Sequence, residues 1–276
     1  LTAFVGHDDA ARITSEDILR YKSHRMQQVS AKTVKDSDLA GLKAVLGWGV
    51  ANKRLAANPA ASVTVKGVKP VKLREKGFDD AEAKAILKAT YTYQPTKREP
   101  AKKVAAKRWA PWIMAYTGAR VGEIVQLRKE DVRHDESGWF IIITPDAGPV
   151  KDKEARRIPL HSHLVELGFI EFVRASPDGY LFLTPNTKGD VMPNWRSIKM
   201  RVAEFVRSVV EDPAVRPNHG WRHRFLTIGS EVGAQDRVLY AITGHAPVGV
   251  GGAYGNATLK AMRRAIEMLP RYEVGN

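Results

Sequence analysis

Apolar residues recurring every three or four positions mark most of this chain as helical. Thr14, with Asp17 three residues on, forms a capping-box-like opening and predicts a helix through about Val29. Leu39, Leu42, Leu46 and Val50 keep the same period and predict a second helix over about 35–56, which Asn58-Pro59 stops. Between residues 60 and 76 the period dissolves into Val, Lys, Gly and Pro, a linker composition. Asp79 followed by Glu82 then opens a helix carrying Ile86 and Leu87. A basic run at 97–108 leads into another helix, ending near Thr117-Gly118.

Strand-like patterns appear only in the second half. Residues 139–144 and 156–160 predict a small antiparallel ribbon, with 180–183 as a third strand. Three further helices are expected. One carries Val165, Phe169 and Phe172, one carries Ile198, Val202, Phe205 and Val209, and one carries Trp221, Phe225, Ile228 and Val232. The expected fold is mainly α with a small antiparallel β-sheet. It divides into a helical domain at 1–64, a linker at 65–76 and a larger mixed domain at 77–276.

Composition narrows the function. The 276 residues, 43% hydrophobic and 27% charged, suffice for one large domain or two modest ones. No apolar run approaches the ~18 residues of a membrane span. The opening LTAFVGHDDA carries acids, so no signal peptide is read there, and a missing N-terminal piece fits as well. With no cysteine, disulfides and thiolate metal sites are excluded, and a cytoplasmic location is expected.

Charge points to a polyanionic partner. Lys and Arg number 44 against 30 Asp and Glu, a formal net charge of +14. The surplus is spread, at 12 against 6 in residues 1–73 and 32 against 24 in residues 74–276. Counterion release rewards such a chain for each phosphate it neutralises, which favours nucleic acid over a merely basic protein.

Four separated segments carry candidate chemistry. In TGARVGEIVQL (117–127), Gly118 allows a tight turn, and Arg120 is expected in the first turn of the following helix, where backbone N–H groups favour anions. Taken alone it reads equally as a surface arginine. In VKDKEARRIPL (150–160), Lys151 sits at the turn end of the ribbon, placed to donate a proton or simply to be solvated. In HGWRHRFLTIG (219–229), His219 and Arg222 share a helical face, a pairing suited to phosphate binding with proton transfer. His219 and His223 at i, i+4 also suggest a metal, but the zincin pattern needs glutamate where Gly220 stands. In ITGHAPVGVGGAYGN (242–256), His245 follows a Thr-Gly turn and Tyr254 lies nine residues on, across Gly249, Gly251 and Gly252.

In this order the four segments resemble the catalytic domain of tyrosine recombinases, the phage integrases. Residues 1–64 resemble, more weakly, that family's core-DNA-binding domain, giving a two-domain DNA clamp. The resemblance implies that Tyr254 is the nucleophile of a site-specific recombinase working through a 3′-phosphotyrosyl intermediate, for integration or excision of mobile DNA. It implies that Arg120 and Arg222 bind the phosphate with His245, that Lys151 is the general acid, that His219 assists proton movement, and that Glu123 supports them. No metal or cofactor is implied. One departure is that Pro247 and three glycines replace the polar residues common between the family's histidine and tyrosine.

The implied partners are double-stranded recombination sites, accessory DNA-bending proteins and further copies of the chain, forming a homotetramer on DNA from monomers in solution. No membrane is involved, and the source would be bacterial or phage. Lys97, Arg98, Lys102, Lys103, Lys107 and Arg108 are candidate DNA contacts. The segment with Met262, Ile266 and Leu269 along one helical face docks, by the resemblance, on a neighbouring protomer on DNA or else in cis on its own chain; the sequence does not choose between them. The rival functions are a type IB topoisomerase-like relaxing enzyme and an inactive DNA-binding protein on the same scaffold.

Overall fold

Two compact units divide the chain, Leu1–Leu73 and Arg74–Asn276. The structure, a computed structural model, describes residues 1–66, 74–150, 154–245 and 257–274.

The first unit contains α1 (Thr2–Val5), α2 (Ser15–Met26) and α3 (Ala31–Thr33), which runs through a π-helical stretch (Val34–Leu39) into α4 (Ala40–Ala51). The capping box forms as the spacing predicts. Asp17 N donates to Thr14 Oγ1 at 3.1 Å, and Thr14 N donates to Asp17 Oδ2 at 2.9 Å. Ile18, Val34, Leu39, Leu46, Ala60 and Val63 make the core. α4 ends well before Asn58-Pro59. Arg54 N and Leu55 N both turn back to Gly49 O, with Lys53 at a φ of 57°. The side chain of Leu55 closes over Gly49, where a Cβ would stand 2.8 Å from Leu55 Cδ1. A glycine the periodicity passes over thus lets the chain fold onto its own helix.

The second unit begins with α5 (Asp80–Thr92), α6 (Ala101–Thr117) and α7 (Val121–Val125). Three strands follow, β1 (Val132–Asp135), β2 (Gly138–Ile143) and β3 (Arg156–Pro159). Then come α8 (Ser162–Glu166), α9 (Phe169–Ala175), α10 (Met192–Arg207), α11 (Pro217–Glu231), α12 (Asp236–Thr243) and α13 (Leu259–Glu267). The fold is mostly helical with one small antiparallel sheet. From Trp109 to Thr117 every residue of α6 is buried. A helix apolar on all sides must lie at the centre of its domain, and α5, α7, α10 and α11 pack around it.

The sheet has the order β1-β2-β3, with Val132 opposite Ile141 and Ile141 opposite Ile158. β2 and β3 are the predicted ribbon. β1 has no apolar run, and is held by a two-residue turn in which Asp135 Oδ1 accepts from Ser137 N at 2.8 Å. The strand expected at 180–183 does not form. Its one bridge is Arg128 to Tyr180, and the carbonyls of Tyr180 and Leu183 instead accept from Lys102 Nζ at 2.6 and 3.1 Å. An ammonium group takes the place of a partner strand, while Leu181, Phe182 and Leu183 enter the core as a loop. The helix expected around Val165 and Phe172 splits at Gly168, which takes a φ of +88°.

The C-terminal segment packs on its own unit. Met262, Ile266, Leu269 and Tyr272 are buried in the core of their own unit, with α13 against α12 and β3. Polar contacts fix the seam. Arg263 Nη2 donates to Trp139 O at 2.8 Å, Ser162 Oγ donates to Glu267 Oε2 at 2.8 Å, and Arg224 Nε donates to the Tyr272 hydroxyl at 3.0 Å. Among the described residues no helix is long and apolar enough to cross a membrane.

Candidate active site

The site is assembled around the C-terminal end of α12. Gly244 closes this helix in a left-handed conformation with φ +64° and leaves the carbonyls of its last turn needing donors. Three guanidiniums supply them. Arg222 Nη1 donates to Thr243 O at 2.6 Å, Arg156 Nε donates to Ile242 O at 3.2 Å, and Arg120 Nη2 donates to Gly244 O at 3.3 Å. Cations are also favoured at this pole of a helix.

Each arginine arrives from a different element. Arg120 caps α7, and its backbone N–H and Nη1 both donate to the carboxylate of Glu123 at 2.9 Å. It therefore stands just ahead of the helix rather than in its first turn, and its own N–H is already engaged. The turn before it depends on Gly118, at φ +58°. A Cβ there would lie 2.8 Å from both the Phe225 ring and Thr243 Cγ2. Arg222 projects from α11 on the buried side with Trp221 and Phe225, and also holds Gly118 O at 3.1 Å. Two sequence-distant turns, at 118 and 243, are thus tied by one side chain.

Glu123 is the buried counter-ion. It is only 2% exposed and takes Arg156 Nη2 at 2.6 Å and Nη1 at 3.3 Å besides Arg120. Burial pushes its carboxyl pKa up, but Arg156 and Arg120 together outweigh that and hold it below the usual carboxylate range. One carboxylate against three guanidiniums leaves the cluster positively charged, as an anion site must be.

His245 lies at the exposed edge of this cluster. Its Nε2 accepts from Arg222 Nε at 3.4 Å, and its Nδ1 contacts Thr243 Oγ1 at 2.8 Å. That hydroxyl in turn donates to Leu239 O at 2.8 Å. Tyr240 packs edge-on against the imidazole, with ring centres 5.5 Å apart. His219, at the start of α11, has its pKa lowered by burial first and then by Arg216, Arg222, Arg120 and Lys199. It is accordingly neutral at pH 7. Among the described residues no group of three or more His, Asp or Glu is placed to hold a metal ion.

The structure brings together Arg120, Glu123, His219, Arg222 and His245. Lys151 and Tyr254 lie outside the described residues. Arg156 and Thr243 are the members that the sequence does not single out. Arg156 is hidden in a basic stretch, and only its spacing before the buried Ile158 hints that it points inward. The basic run 97–108 separates into two groups. Lys102 is engaged with loop carbonyls, Lys107 pairs with Glu99 at 2.7 Å, and Arg108 stacks on the Tyr91 ring at 3.5 Å. Lys97 and Arg98 are exposed and Lys103 is half-buried.

Comparisons with known proteins bear on the family and the fold. The family model described as the phage integrase family matches residues 77–259. The tyrosine recombinase XerA of Pyrococcus horikoshii is 32% identical over 153 residues, covering 54% of this chain and 50% of the relative. The tyrosine recombinase XerC of Staphylococcus saprophyticus is 25% identical over 181 residues, covering 61% and 55%. The matches thus span about half the length of these curated relatives. Among solved structures, the Tn1549 transposon integrase in complex with a circular intermediate DNA superposes with a TM-score of 0.62 at 18% identity, covering 95% of this chain and 87% of that one. A lambda integrase dimer bound to a core site gives 0.61 at 15% identity, covering 86% and 80%. These two likenesses concern the fold. Because the family model matches well over half of the residues, this chain belongs to the phage integrase family.

Proposed function

We propose that the protein is a site-specific DNA recombinase that cleaves and rejoins strands through a 3′-phosphotyrosyl intermediate at Tyr254. The observation that carries this reading is the convergence of Arg120, Arg222 and His245 on the single turn that ends α12. Two planar, permanently charged guanidiniums beside an imidazole suit the two non-bridging oxygens of a phosphodiester, where negative charge grows in the transition state.

In the proposed step the Tyr254 hydroxyl oxygen attacks phosphorus while the bond to the 5′ oxygen breaks. The phenol, with an ordinary pKa near 10, passes its proton to His219, which burial and neighbouring cations keep unprotonated at neutral pH. Lys151 protonates the departing 5′ oxygen. The new phosphotyrosine keeps the bond energy, and a 5′ hydroxyl from another strand reverses the reaction with no metal or nucleotide. Glu123 touches no reacting atom in this scheme and holds Arg120 in place.

The substrate is proposed to be double-stranded recombination sites, bound by a clamp made of a domain at 1–64, a linker at 65–76 and a catalytic domain at 77–276. Lys97, Arg98 and Lys103 are its proposed phosphate contacts from α6 and the loop before it. On DNA four copies would assemble from monomers, with accessory bending proteins. Exchange, rather than relaxation of supercoils, is favoured by the tyrosine recombinase relatives and the integrase folds that this chain matches. Duplexes selected by binding from a random pool, paired on one plasmid, test this. Recombined product supports the proposal, and relaxation without exchange contradicts it.

A further inference from the structure

Arg156 has no part in the chemistry proposed above, yet its guanidinium occupies the middle of the cluster. Nη1 and Nη2 grip both oxygens of Glu123, at 3.3 and 2.6 Å. Nε faces Ile242 O at 3.2 Å, and Nη2 also lies 3.5 Å from Thr243 O. The plane of the group packs under Gly244, where a Cβ would come within 2.8 Å of Arg156 Cζ. This side chain therefore touches the carboxylate that orients Arg120 and the turn that carries His245. It does so from β3, a rigid edge of the sheet whose Ile158 is anchored in the core.

We propose that Arg156 is a positioning residue that sets Arg120 and His245 in register with each other. Its N–H groups are directed at Glu123 and the α12 carbonyls, so it acts through its neighbours rather than on a phosphate. A flat, bidentate group is required. Lysine would keep the charge but hold only one carboxylate oxygen and would not lie flat beneath Gly244. Loss of the clamp frees Glu123 to swing and the 242–244 turn to lift, and displacements near 1 Å in such sites cost about 100-fold in rate. The inference rests on the recombinase reading of the site.

The test uses the full chain and nicked suicide DNA, with single-turnover adduct formation measured at saturating DNA. Arg156→Lys is expected to slow adduct formation about 10- to 100-fold, while DNA affinity and the melting temperature stay near wild type. In a double-mutant cycle with Arg120→Ala, the Arg156→Lys effect should shrink severalfold, because both act on one arrangement. If Arg156→Lys fails to fold, Gly244→Ala gives the same readout by wedging a methyl group against the guanidinium. A wild-type rate in either variant, or full additivity in the cycle, overturns the proposal. Absence of any wild-type adduct would instead overturn the recombinase reading itself.

Discussion

Arg222 and Thr243 meet across 21 residues of sequence, with the arginine Nη1 donating to the threonine carbonyl at 2.6 Å. The same nitrogen holds Gly118 O at 3.1 Å, so one guanidinium joins the turn before Arg120 to the turn before His245. If Arg222 binds the phosphate as proposed while also serving as this brace, a smaller cation cannot replace it. Arg222→Lys is expected to lower single-turnover cleavage about 100- to 1,000-fold while leaving DNA affinity within a few-fold of wild type. An equal loss of affinity and cleavage would show that Arg222 only binds DNA.

Glu123 balances Arg120 and Arg156 inside the fold. Glu123→Gln leaves two guanidiniums around a neutral amide at a site that is 2% exposed. Removing one partner of a buried ion pair costs about 3–5 kcal/mol, which urea unfolding would register. The adduct rate should fall with it. A stability change within experimental error would mean that the two arginines find other acceptors.

Gly118 adopts φ +58° with no room for a methyl group between Phe225 and Thr243. Gly118→Ala adds left-handed backbone strain to overpacking, a combined cost of about 2–4 kcal/mol. Denaturant midpoints measure it. A cost comparable to Gly179→Ala, whose Cβ meets nothing within 4 Å at φ +82°, would leave strain alone as the cause.

Several histidines tie stability to pH. Burial holds the pKa of His161, His163, His219 and His223 below the ordinary 6.5. As pH falls through about 6.5 the unfolded chain takes up protons that the folded chain refuses, so folding stability drops. The loss ends once pH has passed the lower folded values. Melting temperatures should therefore fall between pH 7.5 and pH 5.5. His219→Gln should reduce that slope and also remove the acid limb of the cleavage rate. A flat melting profile would contradict the buried, neutral histidines.

The basic run offers a contrast between neighbouring residues of α6 and the loop before it. Replacing Lys97, Arg98 and Lys103 by Gln should lower the salt dependence of DNA binding by about one phosphate contact each. Lys102→Gln should act on folding instead, because the Tyr180 and Leu183 carbonyls lose their donor, at about 1–3 kcal/mol. Filter binding across a salt series, together with urea melts, separates the two effects. An unchanged salt slope in the triple variant would remove these residues from the DNA interface.

What the sequence reveals follows from which interactions are local. Both capping boxes, at Thr14 and Asp79, are legible because their partners lie three residues apart. β2 is legible through its apolar run and β3 through Ile158 ahead of Pro159-Leu160, whereas β1, with only Val132 buried, is held by its turn and its partner strand. The strand at 180–183 misleads because an apolar run does not disclose that a lysine 78 residues away will satisfy its backbone. Arg120, Arg222 and His245 are recognised through a family pattern, and the geometry then explains their spacing. Arg156 looks like any surface cation until Glu123, 33 residues upstream, is seen to grip it. Thr243 is missed because its carbonyl accepts from Arg222, 21 residues upstream, while its hydroxyl contacts to Leu239 O and His245 Nδ1 look like an ordinary helix end.

Covalent capture tests the nucleophile most directly. The wild-type chain and Tyr254→Phe would be incubated with the same nicked suicide duplex, and any adduct digested and sequenced by mass spectrometry. A DNA-linked peptide carrying its phosphate on Tyr254 is expected from the wild type, and none from Tyr254→Phe despite near-normal DNA binding. An adduct that persists in Tyr254→Phe, or that maps to another residue, would contradict Tyr254 as the nucleophile.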